Sequence, residues 1–223
     1  MTEEPMIVTR ERLLDGSLME EAKRRAPADT VFQSDAAIQA DLDAKLAEHG
    51  SREDVWLFGY GSLMWNPAFH FAERRGGTVQ GWHRRYCLWL RMGRGSPENP
   101  GLMLALDRGG SCQGALFRVP ADRAREELLL PWRRELFTGA YRSRWVRVMT
   151  EDGPVRAATF VVNRDYPRYA GRLDEALIAE RLATASGALG TCRAYLRETV
   201  AALNGLGLRD RSLERLHRMV GSD

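Results

Sequence analysis

Two stretches of the chain combine residue types that can do chemistry. The first is VWLFGYGSLMWNP (55–67), an apolar, β-prone run that ends in Gly59 and passes through a second glycine, Gly61, to Ser62. Two glycines two apart open main-chain conformations closed to other residues and let a ligand approach backbone N–H groups closely. A nest of such donors suits a carboxylate or a developing oxyanion. The same residues also fit a strand-ending turn packed among Trp and Tyr side chains, and spacing alone does not separate the two. The second stretch is WRRELFTGAYR (132–142), in which Glu135 follows two arginines and precedes an apolar pair and a glycine turn. A carboxylate there can act as general acid and base, or it can be a surface glutamate paired with Arg133, Arg134 or Arg142.

The familiar glycine-loop chemistries are excluded. Met64 stands where GxGxxG needs its third glycine, so a dinucleotide fingerprint fails. No lysine follows, so the loop is not a P-loop. Ser62 comes directly after Gly61 and has Met64 two residues on, so a GxSxG nucleophile elbow is not indicated. Cys87, Cys112 and Cys192 are odd in number, far apart and form no CxxC pair. His49, His70, His83 and His217 form no HxH or HxxxH set. Neither a disulfide scaffold nor a metal centre is expected, and a reducing, cytoplasmic setting follows as the default.

These residues must be held by surrounding elements. Residues 1–50 read as a polar, helical leader, with Ser34 as N-cap of DAAIQADLDAKLAEH and Gly50 as its stop; it packs on something else or is partly loose. Residues 51–223 form the domain proper. Strand candidates follow at VWLF, TVQGW, RRYCLWLRM, GLMLALD, SCQGALFRV, RWVRVMT and VRAATFVVN, and DRGG (107–110) signals a hairpin between the GLMLALD and SCQGALFRV runs. Residues 121–136 read as a helix in which Pro131 predicts a kink or break. Three helices, over 173–186, 191–207 and 210–220, close the chain. Strands gathered in the middle with helices at both ends indicate α+β, not alternating βαβ.

Composition narrows the partners. The 223 residues are 44 % hydrophobic and 28 % charged, near globular averages. Arginine supplies 31 of the 33 basic residues (all but Lys23 and Lys45), but they are interleaved with 30 acids for a net charge of +3. That pattern disfavours nucleic-acid binding. No run approaches the ~18–20 apolar residues of a membrane span, and MTEEPMIVTRERLLDG does not read as a secretory signal.

FGYGSLMWNP resembles the signature of the ChaC-type glutathione-specific γ-glutamylcyclotransferases. GWHRRYCLWL (81–90), RGSPENPG (94–101), WRRELFTGAYR, YPRYAG (166–171) and SGALGTCRAYL (186–196) extend the resemblance in the same order over roughly 55–220. It implies a small mixed β-barrel surrounded by helices. It also implies conversion of glutathione to 5-oxoproline and Cys-Gly without metal or organic cofactor. The matching substrate loop is Leu57, Phe58, Gly59, Tyr60, Gly61, Ser62 and Leu63, with the γ-glutamyl group held largely by backbone, and the matching catalytic acid is Glu135. Tyr141 and Tyr169 match family tyrosines and are expected as pocket contacts. Tyr195 also matches a recurrent family tyrosine, with Tyr169 favoured over it as the pocket contact, and Arg94 with its loop is expected over the Cys-Gly end. Glu126 and Glu127 read as a solvated helix face beside the pocket.

The chemistry explains these parts. The substrate's own α-amine must attack its γ-amide carbonyl, so holding the folded conformer is the first task. The amine is mostly ammonium at neutral pH, so a base must take its proton and return one to the leaving nitrogen. Burial would raise a glutamate above its ordinary ~4.3, and a nearby guanidinium would lower it. Arg133 and Arg134 are therefore expected to point away from Glu135. Two departures from the family pattern stand out: Pro131 just before Glu135, and Cys192-Arg193-Ala194 before Tyr195 where an asparagine and an acid are usual. The resemblance leaves room for another γ-glutamyl peptide or amine as substrate, or for a non-catalytic cation-transport regulatory binding protein.

Overall fold

In the computed structural model of the chain, residues 5–50 and 53–221 are described. Five strands close into a barrel in the order β1-β3-β2-β4-β5, where β1 is Val55–Gly59, β2 Glu73–Leu90, β3 Gly101–Val119, β4 Tyr141–Thr150 and β5 Gly153–Val162. Strand β1 is antiparallel to β3 (Val55 opposite Val119) and parallel to β5 (Leu57 opposite Ala158), and this second pairing closes the ring. The fold class is α+β, as the clustering of strands indicated.

The expected hairpin at 107–110 is not formed. GLMLALD and SCQGALFRV are the two halves of one 19-residue strand, β3. Gly109 and Gly110 take φ of 95° and 67°, and the register with β2 shifts between Gln80 and Trp82, opposite Gly81. These glycines build a bulge that bends a long strand around the barrel instead of reversing it. Strand β2 likewise runs unbroken where two strands were expected.

The helices are α1 (Arg10–Leu14), α2 (Ser17–Arg25), α3 (Asp35–His49), α4 (Ala124–Leu136), α5 (Glu175–Thr184), α6 (Cys192–Asn204) and α7 (Arg211–Val220). Ser34 caps α3 through its hydroxyl, which accepts from the Ala37 N–H at 3.1 Å. Helix α4 passes through Pro131 without ending. The proline costs the bond to the Glu127 carbonyl, but Leu128, Leu130, Pro131 and Trp132 are all buried, and that packing holds the helix together. Leader residues Leu13, Leu18, Ile38 and Leu42 share one apolar cluster with Leu57, Phe117 and Trp132 of the barrel and α4.

Candidate active site

Strand β1 delivers the glycine loop. Leu57 and Phe58 are fully buried in the barrel, and the Phe58 carbonyl accepts from the Thr159 hydroxyl at 2.8 Å. Leu57, Phe58 and Gly59 therefore support the loop from within and are not among the residues that line the Glu135 cavity. The chain leaves the strand at Tyr60 and turns through a single 3-10 turn, Ser62–Met64. The N–H groups of Ser62 and Leu63 find no acceptor among the described residues, as expected at the start of a helical turn. Neither Gly59 nor Gly61 has a positive φ. What the glycines provide is room: a Cβ on Gly59 would lie 3.0 Å from the Leu63 Cβ, and one on Gly61 would collide with the Tyr195 hydroxyl.

A buried arginine that sequence reasoning missed pins this loop. Arg84, its side chain 1 % exposed, donates from Nε to the Tyr60 carbonyl at 2.6 Å and from Nη2 to the Gln113 carbonyl at 2.6 Å, and pairs with Asp210. Nothing in GWHRRYCLWL marks Arg84 over Arg85, whose side chain instead reaches Asp107 at 3.0 Å.

Tyr60, Gly61, Ser62, Leu63, Arg94, Arg134, Glu135, Tyr141, Tyr166 and Tyr195 meet around one cavity of about 370 Å³, a size suited to a small-molecule substrate. Glu135 reaches it from the last turn of α4, with 14 % of its side chain exposed. Burial raises its carboxyl above the ordinary range, and the nearby Arg134 guanidinium opposes the rise without cancelling it. Tyr60, Tyr141 and Tyr195 surround it. All three have raised hydroxyl pKa values, from burial first and also from the Glu135 charge, with Tyr195 pushed up to about 12. The Tyr60 hydroxyl donates to the Phe160 carbonyl and the Tyr141 hydroxyl to the Leu104 carbonyl, each at 2.8 Å. The Tyr195 hydroxyl has no hydrogen-bond partner among the described residues.

Three expectations need correction. Arg133 turns away as foreseen, to Asp35 and the Leu13 carbonyl. Arg134 does not: its Nε lies 3.4 Å from Glu135 Oε1, while its Nη1 donates to the Asn66 carbonyl at 2.6 Å. Tyr169 does not reach the cavity. Its hydroxyl donates to buried Asp107 at 2.8 Å, where Arg164 also binds, and Tyr166 and Tyr195 line the pocket in its place. Glu127 is not a solvated face residue, being 1 % exposed and paired with Arg10 at 2.6 Å; Glu126 is exposed. Cys192, at the departure from the family pattern, donates its thiol to the Arg94 carbonyl at 3.0 Å and so ties down the 94–101 loop.

The raised Glu135 carboxyl has a consequence for stability. The folded state binds its proton more tightly than the unfolded chain, so stability from this group falls as pH rises from ~4.3 through the raised folded value. Glu135→Gln keeps the shape without the charge. Its melting temperature is expected to equal or exceed that of the wild type at neutral pH, with the gap closing in acid; calorimetry across pH reads this directly.

The sequence model of one family, described as ChaC-like protein, matches residues 55–223. The chain belongs to the ChaC-like family. It is 43 % identical over 178 residues to a glutathione-specific γ-glutamylcyclotransferase of Escherichia coli K12, covering 79 % of this chain and 77 % of that one. It is 32 % identical over 182 residues to glutathione-specific γ-glutamylcyclotransferase 1 of the rat, covering 78 % and 82 % of the two chains. Among solved structures it resembles a γ-glutamyl cyclotransferase specific to glutathione from yeast. That match has a TM-score of 0.68 at 19 % identity, over 75 % of this chain and 96 % of that one. The ChaC-like fold is thus the closed barrel with its surrounding helices. No described helix is long and apolar enough to cross a membrane.

Proposed function

We propose that this chain is a glutathione-specific γ-glutamylcyclotransferase, converting glutathione to 5-oxoproline and Cys-Gly. The observation that carries the reading is the Glu135 carboxylate, raised by burial, in the same cavity as the glycine loop Tyr60–Leu63. The names borne by its ChaC-like relatives agree with it. A cytoplasmic location fits the three unpaired cysteines and the reduced thiol of the substrate.

The reaction follows from the parts. The loop backbone around Ser62 and Leu63 holds the γ-glutamyl group curled, so that its amine faces its own γ-carbonyl. Glu135 takes a proton from the ammonium. The freed amine adds to the carbonyl carbon, and the oxygen charge that develops is met by main-chain N–H groups. Glu135 then returns the proton to the departing nitrogen as the amide C–N bond breaks and the carbonyl re-forms. The second proton of the ring nitrogen passes by way of the same carboxylate to the freed Cys-Gly amine, which leaves as ammonium. The Tyr195 hydroxyl, free of internal partners, is available to the reacting groups. Because Glu135 must start as carboxylate, kcat/KM is expected to rise with pH through its raised value. A pH–rate profile with its acid limb at or below the ordinary ~4.3 contradicts this assignment.

Arg94 argues for the type of substrate. It is partly buried, burial lowers its pKa, and it lies 5.8 Å and 5.5 Å from the ring centres of Trp65 and Tyr195. It donates to the Thr191 carbonyl at 2.9 Å but pairs with no acid among the described residues. A cation withdrawn from water with no anion to meet it favours a ligand that brings a carboxylate. Arg94→Met is expected to raise KM for glutathione at least about tenfold with a smaller change in kcat. An unchanged KM in steady-state assays would remove Arg94 from the site. Incubating the purified protein with glutathione and resolving the products tests the reading as a whole.

A further inference from the structure

The cavity has a wall that the family-matched segment does not build. Met6, Ile7, Val8, Leu18, Met19 and Ala22 line it, and all precede residue 55, where the ChaC-like match begins. Residues 6–8 bridge two flanks of the pocket. On one side the Met6 N–H donates to the Ala188 carbonyl at 2.7 Å, beside Leu189, whose own N–H is bound to the Gly93 carbonyl next to Arg94. On the other side Asn66 Nδ2 donates to the Val8 carbonyl at 3.1 Å, and Asn66 is the residue whose carbonyl holds Arg134.

The strap is latched at its far end. Arg10 meets the buried Glu127 carboxylate through Nη2 at 2.6 Å and Nε at 3.3 Å. The oxygen that accepts from Arg10 Nε, Oε2, also accepts from the His70 N–H at 2.9 Å. Arg133 Nη1 binds the Leu13 and Leu14 carbonyls at 3.0 Å and 3.1 Å, which seats the turn into α2. Helix α2 then presents Leu18, Met19 and Ala22 to the cavity.

We infer that this strap and α2 form a specificity wall that limits the bulk of the leaving part of the γ-glutamyl substrate. The inference rests on the proposed cyclotransferase reading. The γ-glutamyl end belongs with Glu135 and Tyr60–Leu63, so what remains to meet the leader is the portion beyond the scissile amide. Among the described residues the leader offers that portion no charged side chain at the cavity, only aliphatic groups and two methionines. Such a surface accommodates a small, neutral thiol-bearing side chain and stops a longer one at the strap.

The test compares kcat/KM for glutathione with that for S-hexylglutathione, whose thioether carries bulk toward the wall. Met19→Ala opens the wall from α2. Arg10→Met combined with Glu127→Gln releases the latch without stranding a buried charge. In either variant the ratio of S-hexylglutathione to glutathione turnover is expected to rise at least about tenfold over wild type, the scale that pocket volume commands. Ratios within twofold of wild type in both variants, with glutathione still turned over, overturn the wall. Wild-type protein that releases no 5-oxoproline from glutathione instead overturns the underlying reading, so the two failures are told apart.

Discussion

Glu135→Gln is expected to lower kcat for 5-oxoproline release by about 10²–10⁴, the usual contribution of a positioned acid–base group. Glutamine fills the same space at the end of α4, so the loss is chemical: an amide neither accepts the ammonium proton nor returns one to the leaving nitrogen. KM is expected to change little, because the role proposed for Glu135 is on the reacting amine and not on the carboxylates of the ligand. The variant also carries its own folding control, since it is expected to be no less stable than wild type at neutral pH. A folded variant with wild-type turnover would take the proton-transfer role away from residue 135.

The second large effect is expected at Gly61. A methyl group there collides with the Tyr195 hydroxyl, and that hydroxyl belongs to a buried ring on α6. Either the loop shifts or the tyrosine does, and both line the cavity. Displacements of about 1 Å at a reacting centre can cost ~10² in rate, so Gly61→Ala is expected to lose roughly that factor in kcat/KM. The clash is with an oxygen, which makes the explanation testable by relief. Adding Tyr195→Phe to Gly61→Ala is expected to recover part of the loss, although Tyr195→Phe alone is expected to lower activity. Strict additivity of the two single losses in this double-mutant cycle would show that the glycine serves some other purpose than close approach to Tyr195.

Much of the site was legible from local signals. An apolar run stopping at Gly59, a second glycine and Ser62 announce a strand that hands over to a ligand-approachable turn, and residues 60–63 do line the cavity. Ser34 and Gly50 mark the ends of α3 because caps are local chemistry. The features that escaped depend on contacts distant in sequence. DRGG has the composition of a turn, but whether two positive-φ glycines reverse a strand or bulge it depends on what pairs alongside, here Gly81 and its neighbours on β2. Pro131 breaks an isolated helix, yet burial of its neighbours in the core overrides that local cost. Arg84, Arg134 and Tyr169 lie in stretches rich in arginine or tyrosine. Which of several equivalent residues turns toward Tyr60, Glu135 or Asp107 is settled by tertiary packing, by the barrel around Arg84 and by the leader contacts that draw Arg133 away on α4, and not by the motif.

Central to the whole account is ring closure by the substrate's own amine, with no water molecule as nucleophile. Turnover of glutathione in heavy-oxygen water separates the two. The account predicts 5-oxoproline and Cys-Gly in equal amounts, with no solvent oxygen in the 5-oxoproline, because its ring carbonyl oxygen is the one the substrate carried in. Free glutamate bearing a heavy oxygen on its side-chain carboxylate would mean hydrolysis and would contradict it.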